Sequence, residues 1–293
     1  MNNALEIVFW DVQHGHSTYI KSPNGRHVII DLGIGSWDDN NQTFSPLLHL
    51  RNNWGVAQLD NVAITHPHLD HIDDILNFDL LSPKVFTRPT QITNNDVMSG
   101  VRDQDKPKFQ KYCELHTRYN TPIPVESENN LYNENVWGGM KIKVFSPETC
   151  DKANFNNHSL LFVVEYLNTK VVIPGDNEKC SFEELMKSDS FKTAVSNSEI
   201  LLAPHHGRES GYYAEFVDLV NPLLTVVSDG RFCDTSANSR YSAKSRGWDV
   251  LKKSKNESSK RYCLTTNSDG EIFASIYPSV DPKYKSILSV SIK

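Results

Sequence analysis

The sequence predicts an α+β fold: two packed mixed β-sheets lying face to face, with helices on their outer sides. Short apolar, β-prone runs alternate with helix-patterned segments through both halves of the chain, which calls for sheets covered on both faces. No shift in composition marks a linker, so residues 1–293 are read as one domain, with a less readable insertion at about 83–139. Between one such strand and one such helix lies Thr65-His66-Pro67-His68-Leu69-Asp70-His71, four potential metal ligands within six residues.

The elements follow in order. Leu5 to Trp10 reads as a strand, Asp11-Val12-Gln13-His14-Gly15-His16 as a turn, and Ser17 to Ile20 as extended chain again. Asn24-Gly25 marks a hairpin turn, and His27-Val28-Ile29-Ile30-Asp31 is a buried strand ending in an acid. Pro46 to Arg51 is helical. Val62-Ala63-Ile64 leads into the histidine string, and Ile72, Ile75, Leu76 and Phe78 continue at helical spacing. Residues 83 to 139 are polar and rich in turn signals, with a helix over Lys108 to Tyr119. They form either an insertion flanking a cleft or a plain connecting segment. Strands follow at Met140–Phe145, Lys170–Ile173, Ile200–Ala203 and Leu224–Val227, with helices at Glu178–Lys187 and 211–221.

Composition narrows the function. The hydrophobic fraction is 38% and the charged fraction 23%, as in ordinary globular proteins. A net charge of -6 gives no global case for nucleic-acid binding, though a local basic groove stays open. Five scattered cysteines without a C-x-x-C pair indicate neither a disulfide framework nor a thiolate zinc site, so a reducing cytoplasm is expected. No basic-then-apolar leader opens the chain, and no apolar stretch approaches the roughly 20 residues that span a bilayer. Protein partners are not indicated.

The histidine string carries the chemistry. A strand end splays His66 and His68 together, and a helix start turns Asp70 and His71 back towards them. Neutral imidazole and carboxylate suit zinc, manganese or iron. The plain alternative is a histidine-rich surface turn.

This string in its strand-to-helix setting resembles the signature of the metallo-β-lactamase superfamily, which implies a four-layer αββα sandwich. The opening DVQHGH loop, the VIIDLG strand end and Asn156-Asn157-His158-Ser159-Leu160 resemble the ComEC-like hydrolases within it. That group usually has D-V-G-Q-G-D or D-V-G-H-G-D in the first loop; here Gln13 replaces a glycine and His16 the acid. His14 and His16 then either line the mouth of the site or are solvated. The resemblance makes Asp31 a partner orienting a metal-bound histidine. It also makes Asp176 a metal-bridging acid and His205-His206-Gly207 the late histidine motif, with His206 the preferred ligand and His205 facing substrate. His158 is either a further ligand or a polar positioning group. The implied arrangement has His66 and His68, with or without His158, on one ion, Asp70, His71 and His206 on the other, and Asp176 between them. The cofactors are two divalent ions, zinc or manganese. His205 or His14 would protonate the leaving group, beside the catalytic Asp70. The superfamily's iron oxidoreductases typically carry H-x-E-x-D; His68-Leu69-Asp70 departs from this, so the resemblance favours hydrolysis.

The subgroup points to a phosphoester substrate, with DNA or RNA the leading guess. Arg208 and Ser210 sit well for phosphate, and Ser228-Asp229-Gly230-Arg231 ends a strand near the expected cleft. Residues 240 to 261 hold eight basic side chains against Asp249 and Glu257, interleaved with Tyr241, Trp248 and Tyr262, either a strand-binding face or a solvated helix and loop. Thr265 to Ile272 resembles the group's terminal hairpin. The competing readings are a small-molecule hydrolase (phosphocholine-type esterase, lactonase or thioesterase), with Trp10, Trp37, Trp54 and Tyr212 as candidate cage residues, and a scaffold without chemistry.

Overall fold

Alternate residues of the strands divide into two apolar sets, and the fold sends each set to a different layer. The computed structural model describes residues 3–36, 43–230 and 236–293. β1 (Leu5–Phe9), β2 (Thr18–Lys21) and β3 (His27–Ile30) form an antiparallel meander, and a small ribbon of β4 (Gly35–Ser36) and β5 (Thr43–Phe44) leads to α1 (Pro46–Asn52). β6 (Asn61–Ala63) runs parallel to β3 and is followed by α2 (Leu69–Ile72). Next come β7 (Val85–Thr87), α3 (Asn94–Met98) and α4 (Lys106–Arg118). The middle of the chain supplies β8 (Lys141–Phe145), β9 (Leu161–Tyr166), β10 (Thr169–Ile173), α5 (Lys179–Leu185), α6 (Asp189–Val195), β11 (Ile200–Leu202), α7 (Ala214–Val220) and β12 (Leu224–Val227). The rest forms α8 (Asn238–Lys244), β13 (Trp248–Lys252), β14 (Glu257–Arg261), β15 (Cys263–Thr265), α9 (Thr266–Asp269), β16 (Ile272–Pro278) and β17 (Ser286–Ile292).

Among the described residues, two mixed sheets result, ordered β14-β13-β17-β16-β1-β2-β3-β6-β7 and β15-β12-β11-β10-β9-β8. Their inner faces share one core: Leu5, Ile7 and Phe9 from β1 meet Phe162 and Val164 from β9 and Val171 and Ile173 from β10. The intervening residues face outward. Val8, Tyr19, Ile29 and Val62 pack under α1, α2 and α4, while Leu161, Val163, Val172 and Leu201 pack under α5 to α8. Burial on both faces explains why these strands read as continuous apolar runs. The architecture is the αββα sandwich of the expected class.

Three expectations of local structure are corrected. The pattern through Ile72–Phe78 is not one helix: α2 stops at Ile72 and a 3₁₀ segment, Ile75–Leu81, follows, leaving Leu76 exposed. Residues 83–139 are not wholly an insertion, since β7 is the sheet's edge strand, parallel to β6. Thr265 to Ile272 is not a hairpin, because β15 and β16 belong to different sheets and α9 carries the chain between them. Cys150 and Cys180 form a disulfide with Cα atoms 6.1 Å apart, against the expectation of none. Their 30-residue separation carries no local pattern; the fold brings the loop after β8 against α5. Such crosslinks persist in oxidising compartments, so the cysteines no longer argue for a reducing one. Among the described residues, no helix is long and apolar enough to cross a membrane.

Asp74 fastens α1 to the turn after α2. Its carboxylate accepts from the Leu47 amide at 2.8 Å, the Ser45 hydroxyl at 2.7 Å and the Asn77 amide at 2.7 Å. Burial pushes its pKa up to about 6, against those hydrogen bonds. Between the unfolded value near 4 and this folded value, the native state binds more protons than the unfolded one, so this group's contribution to stability falls as pH rises through that window. Asp74→Asn should flatten the stability profile between pH 4 and 6 relative to the parent, by on the order of 2 kcal/mol, read from urea unfolding at several pH values.

Candidate metal centre

The carboxyl ends of β3, β6, β10, β11 and β12 converge at one rim of the sandwich. Each delivers a functional segment there: Asp31 after β3, Thr65 to His71 after β6, Asp176 after β10, His205-His206 after β11 and Ser228 after β12. Ligand sites in open sheets commonly sit at such strand ends. The turns demand unusual backbone. His205, His206 and Gly207 are all left-handed, with φ of 47°, 54° and 74°. Gly175 is left-handed as well, and a Cβ there would lie 2.8 Å from Thr65 Cβ, so only glycine lets β10 reach the rim. Non-glycine residues in this region are costly and cluster at functional sites.

Asp31 is fully buried and organises the first half of the site. Its Oδ1 accepts from the Thr65 amide at 2.7 Å, and its Oδ2 accepts from the Thr65 hydroxyl at 2.8 Å. Oδ2 also lies 2.9 Å from His16 Nδ1 and 2.8 Å from His71 Nδ1. A carboxylate only accepts, so both imidazoles donate from Nδ1. Burial would raise the Asp31 pKa, but His71 and His16 hold it well below the carboxylate range. His71 therefore presents Nε2 to the other acids, 3.3 Å from Asp176 and 3.9 Å from Asp70. His206 is fixed from the opposite side: its Nδ1 donates to the Ser228 carbonyl at 3.0 Å, and its Nε2 faces Asp70 at 3.3 Å and Asp176 at 3.4 Å.

Asp70, His71, Asp176 and His206 thus bring one ligand atom each within 4.8 Å of one another. His66 adjoins them, with Nε2 3.9 Å from Asp176 and 2.9 Å from His68 Nδ1. Burial, then His71 and His68, hold the His66 pKa well below the ordinary histidine range, so it is neutral. At His206 burial also opposes charge, yet Asp176 and Asp70 push the pKa up to about 10. The acids therefore create a negative potential that favours a cation here. The Nε2 atoms of both His71 and His206 are buried with no hydrogen-bond partner. Leaving such an atom unmet costs about 1–3 kcal/mol, and a metal ion would satisfy both. Nitrogen and oxygen donors of this kind fit a divalent ion.

The remaining expected residues divide. His14 lies at the mouth, half exposed, 3.4 Å from Asp70 and with its ring 5.4 Å from that of His206. His16 does not. It is buried between Asp31 and the Thr18 hydroxyl, 2.7 Å from its Nε2, because the acid at β3's end captures it. His158 is buried with both ring nitrogens unpartnered and stands outside the four-residue cluster. His158 closes the 3₁₀ turn Phe155–His158 and Ser159 begins the extended chain after it; Ser159 is the one that reaches the site, 3.2 Å from His66 Nδ1 and accepting from the Asp176 amide at 3.1 Å. His205 stands beside the cluster, 3.8 Å from Asp176, with Ser210 Oγ 2.8 Å from its Nδ1 and Arg208 3.3 Å from its Nε2. Sequence reasoning missed Glu178, 3.0 Å from His205 Nδ1 and held to a pKa of about 2, chiefly by that histidine. Its signal was its place two residues after Asp176. Ser228 and Gly230 pack on the first loop, Ser228 Oγ donating to the Gly15 carbonyl at 2.8 Å, while Arg231 lies outside the described residues.

The basic stretch is not one face beside the site. Arg240, Lys244 and Arg261 pair with Glu209, Asp218 and Asp269. The hairpin β13–β14 lies five strand spacings from β3, about 24 Å. Nor, among the described residues, do the candidate aromatic side chains form a cage. Trp10 is buried against Tyr19 and Trp54, Tyr212 lies under the Arg240 guanidinium, and Trp37 falls outside the described residues.

A sandwich of this kind with a histidine–aspartate centre at its rim defines a class. Residues 10–228 match the model of the metallo-beta-lactamase superfamily, and the chain belongs to that superfamily. Among curated proteins it is similar to ComE operon protein 3 of Bacillus subtilis (strain 168), 24% identical over 252 residues that cover 82% of this chain and 30% of the relative. The chain thus spans less than a third of that relative's length. Among solved structures, the CmlA beta-hydroxylase E377D mutant aligns over 92% of this chain and 54% of its own, at 10% identity and a TM-score of 0.50, a likeness of fold alone. An archaeal superfamily protein from Sulfolobus tokodaii aligns over 60% of this chain and 64% of its own, at 16% identity and a TM-score of 0.31.

Asp31→Asn keeps the shape but loses the acceptor that sets both imidazoles. It should weaken divalent-ion affinity about 10- to 100-fold, as removal of a ligand's hydrogen-bond partner does, read by competition with a chromophoric chelator.

Proposed function

We propose that this chain is a dinuclear metal-dependent phosphodiesterase. The observation that carries the reading is the pair of buried, unpartnered Nε2 atoms of His71 and His206, turned towards Asp70 and Asp176. His66, His68 and Asp176 would hold one ion, and Asp70, His71, His206 and the shared Asp176 the other. His158 is left out of the set, since Ser159 occupies the approach to His66. Zinc and manganese both suit these donors. Two such ions would supply an activated water at neutral pH and neutralise charge developing on phosphoryl oxygens.

The chain's own groups do the rest. Arg208 brings a guanidinium beside His205, where a phosphoryl oxygen can take a charge-assisted hydrogen bond. His205, braced by Glu178 and Ser210, and His14 at the mouth are the two imidazoles placed to hand a proton to a leaving oxygen. His16 is withdrawn from substrate contact by its burial. The ComEC-like sequence resemblance supports a phosphoester over a lactone or thioester, and the absence of an aromatic cage among the described residues argues against a phosphocholine-type ester.

Purified without chelators, the chain should carry about two divalent ions and hydrolyse bis-p-nitrophenyl phosphate. Asp176→Ala should lose at least one ion and more than about 100-fold in rate, beyond the loss typical of a residue outside the ligand set. Normal metal content and rate in that variant would overturn the scheme, as would a parent chain that binds no metal after reconstitution.

A further inference from the structure

A cleft of about 620 Å³ opens directly beside His68, within the range of about 300–1,000 Å³ usual for small-ligand sites. Its floor is the turn Pro67-His68-Leu69, and its walls come from the segment joining α3 to α4 and from the loop before β9. The apolar part of these walls includes Val97, Val101, Phe109 and Phe155. The Phe155 ring lies against the His68 imidazole, centroids 5.7 Å apart, so the apolar wall runs up to the edge of the metal centre.

The charges of this lining are already answered. Arg102 Nε donates to Asp105 at 2.7 Å, and Asp96 accepts from the Thr93 amide and hydroxyl at 2.8 and 2.7 Å. Lys152 donates to the Gln91 carbonyl at 3.2 Å. Two acids stand against two bases, with no net charge. A groove that tracks a phosphate backbone needs an excess of positive charge, and this one has none. It offers an apolar, partly aromatic wall with a polar rim, which suits an uncharged planar ring.

We infer that this cleft receives the nucleobase or similar uncharged aromatic group of the phosphoester, stacked on Phe155, while its phosphate sits at the metal centre. This rests on the phosphoester reading above and narrows it. The substrate contributes a single nucleoside-sized group at this end, as a free nucleotide or the terminus of a strand, and not a strand running through the cleft.

The test is calorimetric binding of AMP, ribose 5-phosphate and inorganic phosphate to the full chain. AMP should bind at least about tenfold tighter than ribose 5-phosphate, the worth of one base–aromatic stack. Val101→Trp, which fills the cleft, and Phe155→Ala, which removes the stacking face, should each bring AMP to the ribose 5-phosphate level and leave ribose 5-phosphate unchanged. Melting temperatures verify that both variants fold. Equal affinities in the parent chain, or AMP affinity untouched in both variants, would overturn the inference. Competition against AMP by an oligonucleotide with a free single-stranded end assigns the group to a strand terminus; lack of it assigns a free nucleotide. Cleavage of bis-p-nitrophenyl phosphate without AMP preference would sink the cleft and leave the phosphodiesterase standing. AMP preference without metal or cleavage would do the reverse.

Discussion

The rim of the sandwich depends on one buried carboxylate. Asp31 takes two hydrogen bonds from Thr65 and one each from His16 and His71, all its close partners lying in segments distant along the chain. It thereby joins the end of β3, the end of β6, α2 and the first loop at a single point. Of these four bonds Oδ1 accepts one and Oδ2 three, so a single oxygen gathers Thr65, His16 and His71. The residue itself sits at a φ of 61°, a strained setting that the four bonds over-determine. The tautomer of His71, and so the direction in which its free nitrogen points, follows from this arrangement.

The second half of the site is built by backbone shape. β10 and β11 run parallel and end side by side, and the left-handed run at 205–207 folds the chain back so that His206 and His205 part company. One imidazole drops between Asp70 and Asp176, while the other turns to Glu178. Gln13 tells a related story in the first loop. It adopts a φ of 56° where the ComEC-like group usually has glycine, and its amide and side chain both donate to Asp11 Oδ1, which offsets part of that strain.

Much of this was legible from the chain alone, because the sandwich writes itself as apolar runs of fixed period and the metal centre as a dense local string. His66 to His71 could be placed by counting, since a strand end and a helix start lie on either side. What escaped was set by contacts between distant segments. His16 reads as the last residue of a turn, and only the position of Asp31 shows that it is captured. By residue type His158 is either a ligand or a polar positioning group, but it ends a 3₁₀ turn, and the residue after it, Ser159, is the one set against His66. The Cys150–Cys180 pairing and the change of sheet between β15 and β16 are likewise properties of the assembled layers.

The nine-stranded sheet ends in β14, whose five residues are Glu257-Ser258-Ser259-Lys260-Arg261, four of them exposed. A terminal strand offers unpaired amides and carbonyls to any passing chain, and charged, polar side chains are a common way of discouraging that match. Lys252 ends β13 and Lys255 lies in the turn of the same hairpin. The part of the basic run that lies on this hairpin thus has a use in three dimensions: it guards a wide sheet against aggregation at an edge that, among the described residues, no further strand extends.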